Sequence, residues 1–223
     1  SITNLNSAIE RLTWDDQLAE TTALWWTVPG ASAIAIAALH IATNCRAPEY
    51  TADEFRAATG CHPIRQESGQ HTSTTDLDLT AHGREQATLA ALTLAHLGLE
   101  NPIVISSPRK RALATAELAG LTVNEVSPLL SEWNYGDYEG LTTHEIRTET
   151  PGWLLWTYGC PGGESVDQVS IRADQAVSYA LDHMVDRDVV FVGHGHFSRA
   201  VVTRWVEQPL REGSRYGFGA ASV

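Results

Sequence analysis

Residues 188–206 read D-V-V-F-V-G-H-G-H-F-S-R-A-V-V-T-R-W-V, and this stretch narrows the possible folds more than any other in the chain. The run Val189, Val190, Phe191 and Val192 is short, apolar and rich in β-branched residues, which suits a strand buried on both faces. Gly193, His194 and Gly195 end it. Helical spacing then resumes, with Phe197, Ala200, Val201 and Trp205 on one side. His194 therefore falls where a buried strand becomes a helix, the edge at which open α/β sheets bind ligands. The flanking glycines let another group come close to the backbone. The first N–H groups of the new helix favour an anion there.

The same pattern recurs upstream. Pro102, Ile103, Val104 and Ile105 form a second short apolar run that ends in Ser106-Ser107-Pro108. Pro108 suits the first turn of a helix, which carries Arg109, Lys110 and Arg111 and stops at Gly120. Cations belong at helix C-termini, so three at an N-terminus conflict with the dipole, and such conflicts often mark function. A third strand is expected at 123–126. Thr80 caps an expected helix at 81–97 that Gly98 stops, with Leu89, Leu92 and Leu97 on its buried side. Short helical segments are expected at 143–148 and 151–158. Ser165 caps a longer helix whose stripe is Val166, Val169, Ala173, Ala176, Val177, Ala180, Leu181 and Met184. Strands alternating with helices predict an α/β fold with a mostly parallel sheet and helices on both faces.

Residues 1–67 read differently from 68–223. The first part is helical in flavour, with helices after Asp15 or Asp16, at 31–42 and at 53–58, and its role is unassigned. Trp14, Trp25 and Trp26 read as core. Residues 21–45 carry no charge, but the run is alanine-rich and broken by Pro29-Gly30, which favours a buried helix over a membrane span. No basic leader segment precedes it. The chain has 223 residues, 43% of them hydrophobic, and a formal net charge of −12. That charge argues against a general nucleic-acid or anionic-membrane binder, while a few local arginines still suffice for an anionic substrate. Cys45, Cys61 and Cys160 make no C-x-x-C pair, so no disulfide framework or zinc site is expected, and a reducing, cytoplasmic setting is.

Two strand ends thus carry matching equipment, His194 at one and Arg109 with Arg111 at the other, with an acidic loop at 132–140 between them. Arginine holds phosphate oxygens bidentately. A protonated histidine stabilises developing charge, and a carboxylic acid can protonate a leaving oxygen. These residues suit phosphoryl transfer. A metal reading through His194 and His196 lacks a third ligand, and no cofactor is expected.

The motifs T-D-L-D-L-T-A-H-G-R-E-Q-A, I-V-I-S-S-P-R-K-R-A, S-E-W-N-Y-G-D-Y-E-G, P-G-G-E-S and V-G-H-G-H, in that order, resemble the histidine phosphatase superfamily, also called phosphoglycerate mutase-like. The lack of long insertions is closer to its small bacterial acid phosphatases than to the glycolytic mutases. The resemblance implies phosphomonoester chemistry on a phosphorylated small molecule. It assigns phosphate binding to Arg111 and Gly195, the second active-site histidine to His194, proton donation to Glu132, and a supporting role to Glu164. Oligomeric state is not implied.

One departure stands out. The family opens with a strand running into R-H-G, whose histidine accepts the phosphoryl group. The corresponding place here reads C-H-P-I-R-Q-E-S-G-Q-H. Arg65 stands for the arginine, but Gln66 replaces the nucleophile and Glu67 the glycine. His62 and His71 are the remaining substitutes. The first strand and the C-terminal strand of the family are expected to be missing or replaced. Two readings follow: a phosphomonoester hydrolase impaired at its nucleophile, or a non-catalytic relative that binds a phosphorylated ligand or partner.

Overall fold

Three apolar runs pair in parallel in the computed structural model, which describes residues 69–216. They are β1 (Ile103–Ser106), β2 (Glu125–Val126) and β3 (Val189–Val192), in the order β2-β1-β3. Ile103 is in register with Val189 and Ser106 with Val192. Strand side chains alternate between faces, and the two cores divide accordingly. Val104, Val190 and Val192 join one cluster, whereas Ile105, Val189 and Phe191 join the other. The sheet is therefore covered on both faces, as the uniformly apolar runs require. β2 is shorter than the four residues expected at 123–126. The side chain of Asn124, not its backbone, accepts the Val104 N–H at 2.8 Å, which interrupts the ladder.

On one face lie α1 (Ala81–Leu97) and α2 (Lys110–Leu118), packed on each other. Thr80 accepts the Gly83 N–H and Gly98 closes α1 in the left-handed conformation, as caps of this kind do. The buried side of α1 differs from the expected one. Ala87, Ala90 and Leu94 face inward, and Leu89 and Leu92 are each 62% exposed. The reason lies on α2, whose Ala112 and Ala116 are fully buried in the same cluster. Two alanine faces bring the helix axes close, and their close packing replaces the bulk that leucines would have supplied.

The other face holds α3 (Thr143–Glu149), α4 (Leu155–Tyr158), α5 (Val166–His183) and α6 (Gly195–Trp205). α5 opens with a capping box between Ser165 and Gln168. It buries Val169, Ala173, Ala176 and Ala180 against α6, whereas Leu181, expected on that stripe, is exposed. The helix expected at 151–158 is confined to α4. The acidic loop contributes to the core as well, since Trp133 and Tyr135 are fully buried.

Among the described residues no helix is long and apolar enough to cross a membrane. The helices, tryptophans and uncharged run read in residues 1–67, with Cys45, Cys61, His62, Arg65, Gln66 and Glu67, lie outside the described residues. So do the positions at which the first and last strands are expected to be missing or replaced.

Candidate functional site

β1 and β3 end side by side, and their next residues meet. The Ser107 N–H donates to the Val192 carbonyl at 2.8 Å, and the Ser107 hydroxyl lies 2.7 Å from His194 Nε2. Both side chains are buried. His194 is the N-cap residue of α6, in extended conformation, so its ring is aimed by the strand end and not by the helix. Gly195 follows as the first, buried residue of α6.

Arg111 sits in the first turn of α2 and is 0% exposed. Its Nη1 donates to the Thr75 carbonyl at 2.9 Å and its Nη2 to the Thr72 carbonyl at 3.3 Å, while its buried Nε has no hydrogen-bond partner. It forms no ion pair among the described residues. Burial pulls its pKa below the ordinary arginine value, and the charge of Glu132 acts in the opposite direction. A buried cation without a bonded carboxylate is costly unless something anionic joins it. The three-cation conflict at this helix start resolves residue by residue. Arg111 turns inward, Lys110 is exposed, and Asp76 supplies the missing acid by accepting the Lys110 N–H at 2.9 Å.

Glu132 corrects an expectation. The N–H groups at the start of α6 do attract an anion, but it is the protein's own. Glu132 accepts the Phe197 N–H at 2.8 Å and the His196 N–H at 3.1 Å, and also that of Trp133 at 2.8 Å. Burial pushes its pKa up, and the three N–H groups only partly offset that. A carboxyl so placed is fixed in position and inclined to hold a proton, which is what a general acid requires.

Two supporting layers hold these groups. Glu164 accepts both Nε and Nη2 of Arg172, at 2.8 and 2.7 Å, and also the Asn134 N–H at 2.9 Å. Arg172 in turn donates to the Leu129 and Ser131 carbonyls at 2.9 and 2.7 Å and lies 3.8 Å over the Phe197 ring. The loop that carries Glu132 is thus pinned to α5 and α6 together. Gly163 and Gly136 make this possible. A Cβ on Gly163 would meet the Asn134 carbonyl oxygen at 2.2 Å. Glu139 forms the second layer. It accepts from the backbone N–H of Ser73, Thr74 and Thr75 and from the Ser73 and Thr75 hydroxyls, at 2.6 to 3.1 Å. Burial pushes its pKa up, but these bonds outweigh burial and leave it below the usual carboxylate range. The loop so held is the one whose carbonyls cradle Arg111.

His71 and His196 are built into the aromatic core. His71 Nε2 lies 3.1 Å from Thr143 Oγ1, and its ring packs against those of Tyr135, Trp153 and His196. His196 Nδ1 lies 2.6 Å from the Tyr135 hydroxyl. Among the described residues no group of three metal-ligating side chains occurs. The structure thus places Arg111, His194, Gly195 and Glu132 at neighbouring chain turns, with Glu164 behind them; Arg65 lies outside the described residues. Arg172 and Glu139 were missed by the sequence reading. Arg172 sits on α5 next to the buried Ala173, so a charged residue flanking an apolar stripe was its one available signal.

A cation, an imidazole and a protonatable carboxyl converging at the carboxyl ends of parallel strands suit the handling of a tetrahedral oxyanion. Comparison with known proteins agrees with that chemistry. The histidine phosphatase superfamily (branch 1) matches residues 61–223, and the chain belongs to this superfamily. An acid phosphatase of Mycobacterium tuberculosis is 63% identical over 155 residues, which are 70% of this chain and 76% of that protein. A glucosyl-3-phosphoglycerate phosphatase of the same species is 33% identical over 153 residues, 60% of this chain and 67% of that protein. A solved structure of an open reading frame product of Mycobacterium tuberculosis superposes with a TM-score of 0.68 at 63% identity, covering 69% of this chain and 79% of that one.

Proposed function

We propose that this chain binds phosphomonoesters of small molecules at the junction of β1 and β3, and that its hydrolysis of them is impaired. The observation that carries the reading is Arg111, a fully buried cation held by two carbonyls and lacking an ion pair among the described residues. A phosphate dianion offers such a group the charge and the acceptor geometry it lacks. His194 would bring a second donor to the same oxygens, with Arg65 and the Gly195 N–H completing the shell. Glu132, raised in pKa by burial, would deliver a proton to the leaving oxygen. Glu164 would keep Glu132 in place.

The impairment rests on Gln66. The superfamily's mechanism passes through a phosphohistidine, and an amide at that position offers no lone pair comparable to imidazole nitrogen. His71 does not stand in, because its ring is enclosed by Tyr135, Trp153 and His196. Carried to its limit, the reading becomes a non-catalytic relative that binds a phosphorylated ligand or partner, and Glu67 beside Gln66 favours that limit. A reducing, cytoplasmic setting fits Cys160, a buried free thiol whose pKa burial pushes up to about 12.

The test is hydrolysis of an aryl phosphate by the purified chain from acid to neutral pH, beside His194→Ala, with folding checked by circular dichroism. The expected result is turnover near background in both. Robust turnover that disappears in His194→Ala would contradict the impairment and show that a working nucleophile is present.

A further inference from the structure

Beside the buried arginine lies a cleft of about 290 Å³, lined among others by Thr74, Arg109, Ser131, Glu132, Asn134 and Arg172. Its charges are not equally committed. Arg172 is neutralised by its bidentate pair with Glu164. The Glu132 carboxylate is spent on three backbone N–H groups. Arg109 is different. It makes no ion pair among the described residues, and its Nε is buried without a hydrogen-bond partner. Its backbone N–H reaches the Ser107 hydroxyl, at 3.4 Å, that also touches His194. Arg109 is also near enough to Arg111 for each charge to bear on the other. The cleft therefore adjoins the proposed phosphate position, and its uncommitted charge is positive. The hydroxyls of Thr74 and Ser131 and the Asn134 amide add neutral hydrogen-bonding groups suited to oxygen.

We propose that this cleft is a leaving-group subsite for phosphomonoesters whose alcohol portion carries a second anion, and that Arg109 is the residue that pairs with it. This rests on the phosphate-binding reading above. The second anion can be a carboxylate or a second phosphate, since the guanidinium fork fits both. Arg109 is a specificity residue and takes no part in bond breaking. Discrimination arises because an uncharged alcohol leaves the buried Nε unsatisfied, whereas an anion satisfies it.

The experiment is calorimetric titration of the full chain with three probes: inorganic phosphate, ethyl phosphate, and phosphoglycolate, which adds a carboxylate to a molecule of similar size. The wild type should prefer phosphoglycolate to ethyl phosphate by about tenfold, corresponding to roughly 1.4 kcal/mol, within the range of a charge-assisted hydrogen bond. In Arg109→Ala that ratio should fall to near one. Arg109→Lys should recover part of it, because the charge returns without the planar fork. A purely structural role for Arg109 would weaken both esters together and leave the ratio unchanged, which would overturn the proposal. So would a wild type that binds inorganic phosphate yet ranks the two esters equally. Failure of the wild type to bind inorganic phosphate at all would instead bring down the underlying phosphate-site reading, and the subsite with it.

Discussion

Glu132 and Phe197 meet across the first turn of α6, where the carboxylate accepts the Phe197 N–H at 2.8 Å. The helix N-terminus therefore holds an internal acid at the place where an external anion would otherwise dock. Burial still dominates, and the Glu132 pKa lies above the ordinary value. A raised carboxyl pKa means that the folded state binds the proton more tightly than the unfolded chain. Its destabilising contribution is absent below the unfolded value and grows as pH rises through the folded one. Relative to Glu132→Gln, which does not ionise, the wild type should lose stability across that window. Urea unfolding of both proteins at a series of pH values measures the difference, and a wild type that gains on the variant with rising pH would contradict it.

Glu139 should behave with the opposite sign. Its folded pKa is depressed by hydrogen bonds to Ser73 and Thr75, so its stabilisation is present above the unfolded value and is lost as pH falls through the folded one. Glu139→Gln should cost about 1–2 kcal/mol at neutral pH, in the range of hydrogen bonds to a charged group reduced by partial exposure. The cost should shrink in acid. Phosphate affinity should fall too, because the loosened loop is the one that supplies the Thr72 and Thr75 carbonyls to Arg111.

Arg172 joins the loop of Glu132 to α5 through Glu164, Leu129 and Ser131. Arg172→Ala should cost about 3 kcal/mol, as removal of one partner from a buried pair does. Arg172→Lys should recover only a small part, because a point charge does not reproduce the bidentate fork or the stacking on Phe197. Denaturant midpoints for the three proteins check both statements.

Gly163 has no room for a methyl group, since an added Cβ would lie 2.2 Å from the Asn134 carbonyl oxygen and 2.6 Å from the Gly136 nitrogen. Both neighbours are backbone, so relief requires the two loops to separate. Gly163→Ala should therefore cost at least about 2 kcal/mol, by the reasoning for overpacked sites, and should lower phosphate affinity by displacing Glu132. A thermal melt with and without phosphate separates the two effects.

The sequence reading succeeded where local chemistry decides. Val189–Val192 is a strand because a β-branched apolar run ends at a glycine, and Val166–His183 begins where Ser165 and Gln168 form a capping box. Arg111 and His194 were legible because polar residues directly after buried strands have little other reason to be there. What failed was non-local. The inward face of α1 was decided by alanines on α2, 22 or more residues away, so Leu89 and Leu92 ended outside. The roles of Arg172 and Glu139 depend on contacts across about 40 and 65 residues of sequence, and no spacing rule reaches that far. The N–H groups of α6 were read as vacant because Glu132 approaches from a loop 64 residues earlier in the chain.

Calorimetric titration with inorganic phosphate, wild type against Arg111→Met, tests the central claim most directly. Arg111 is buried without a bonded carboxylate, so its charge costs stability and is justified by an anion it binds. The wild type should bind phosphate saturably, and Arg111→Met should lose at least about tenfold in affinity, the loss of one charged hydrogen bond or more, while melting at the same or a higher temperature. A wild type that gives no binding heat, or a variant that binds phosphate as well as the wild type, would contradict the account.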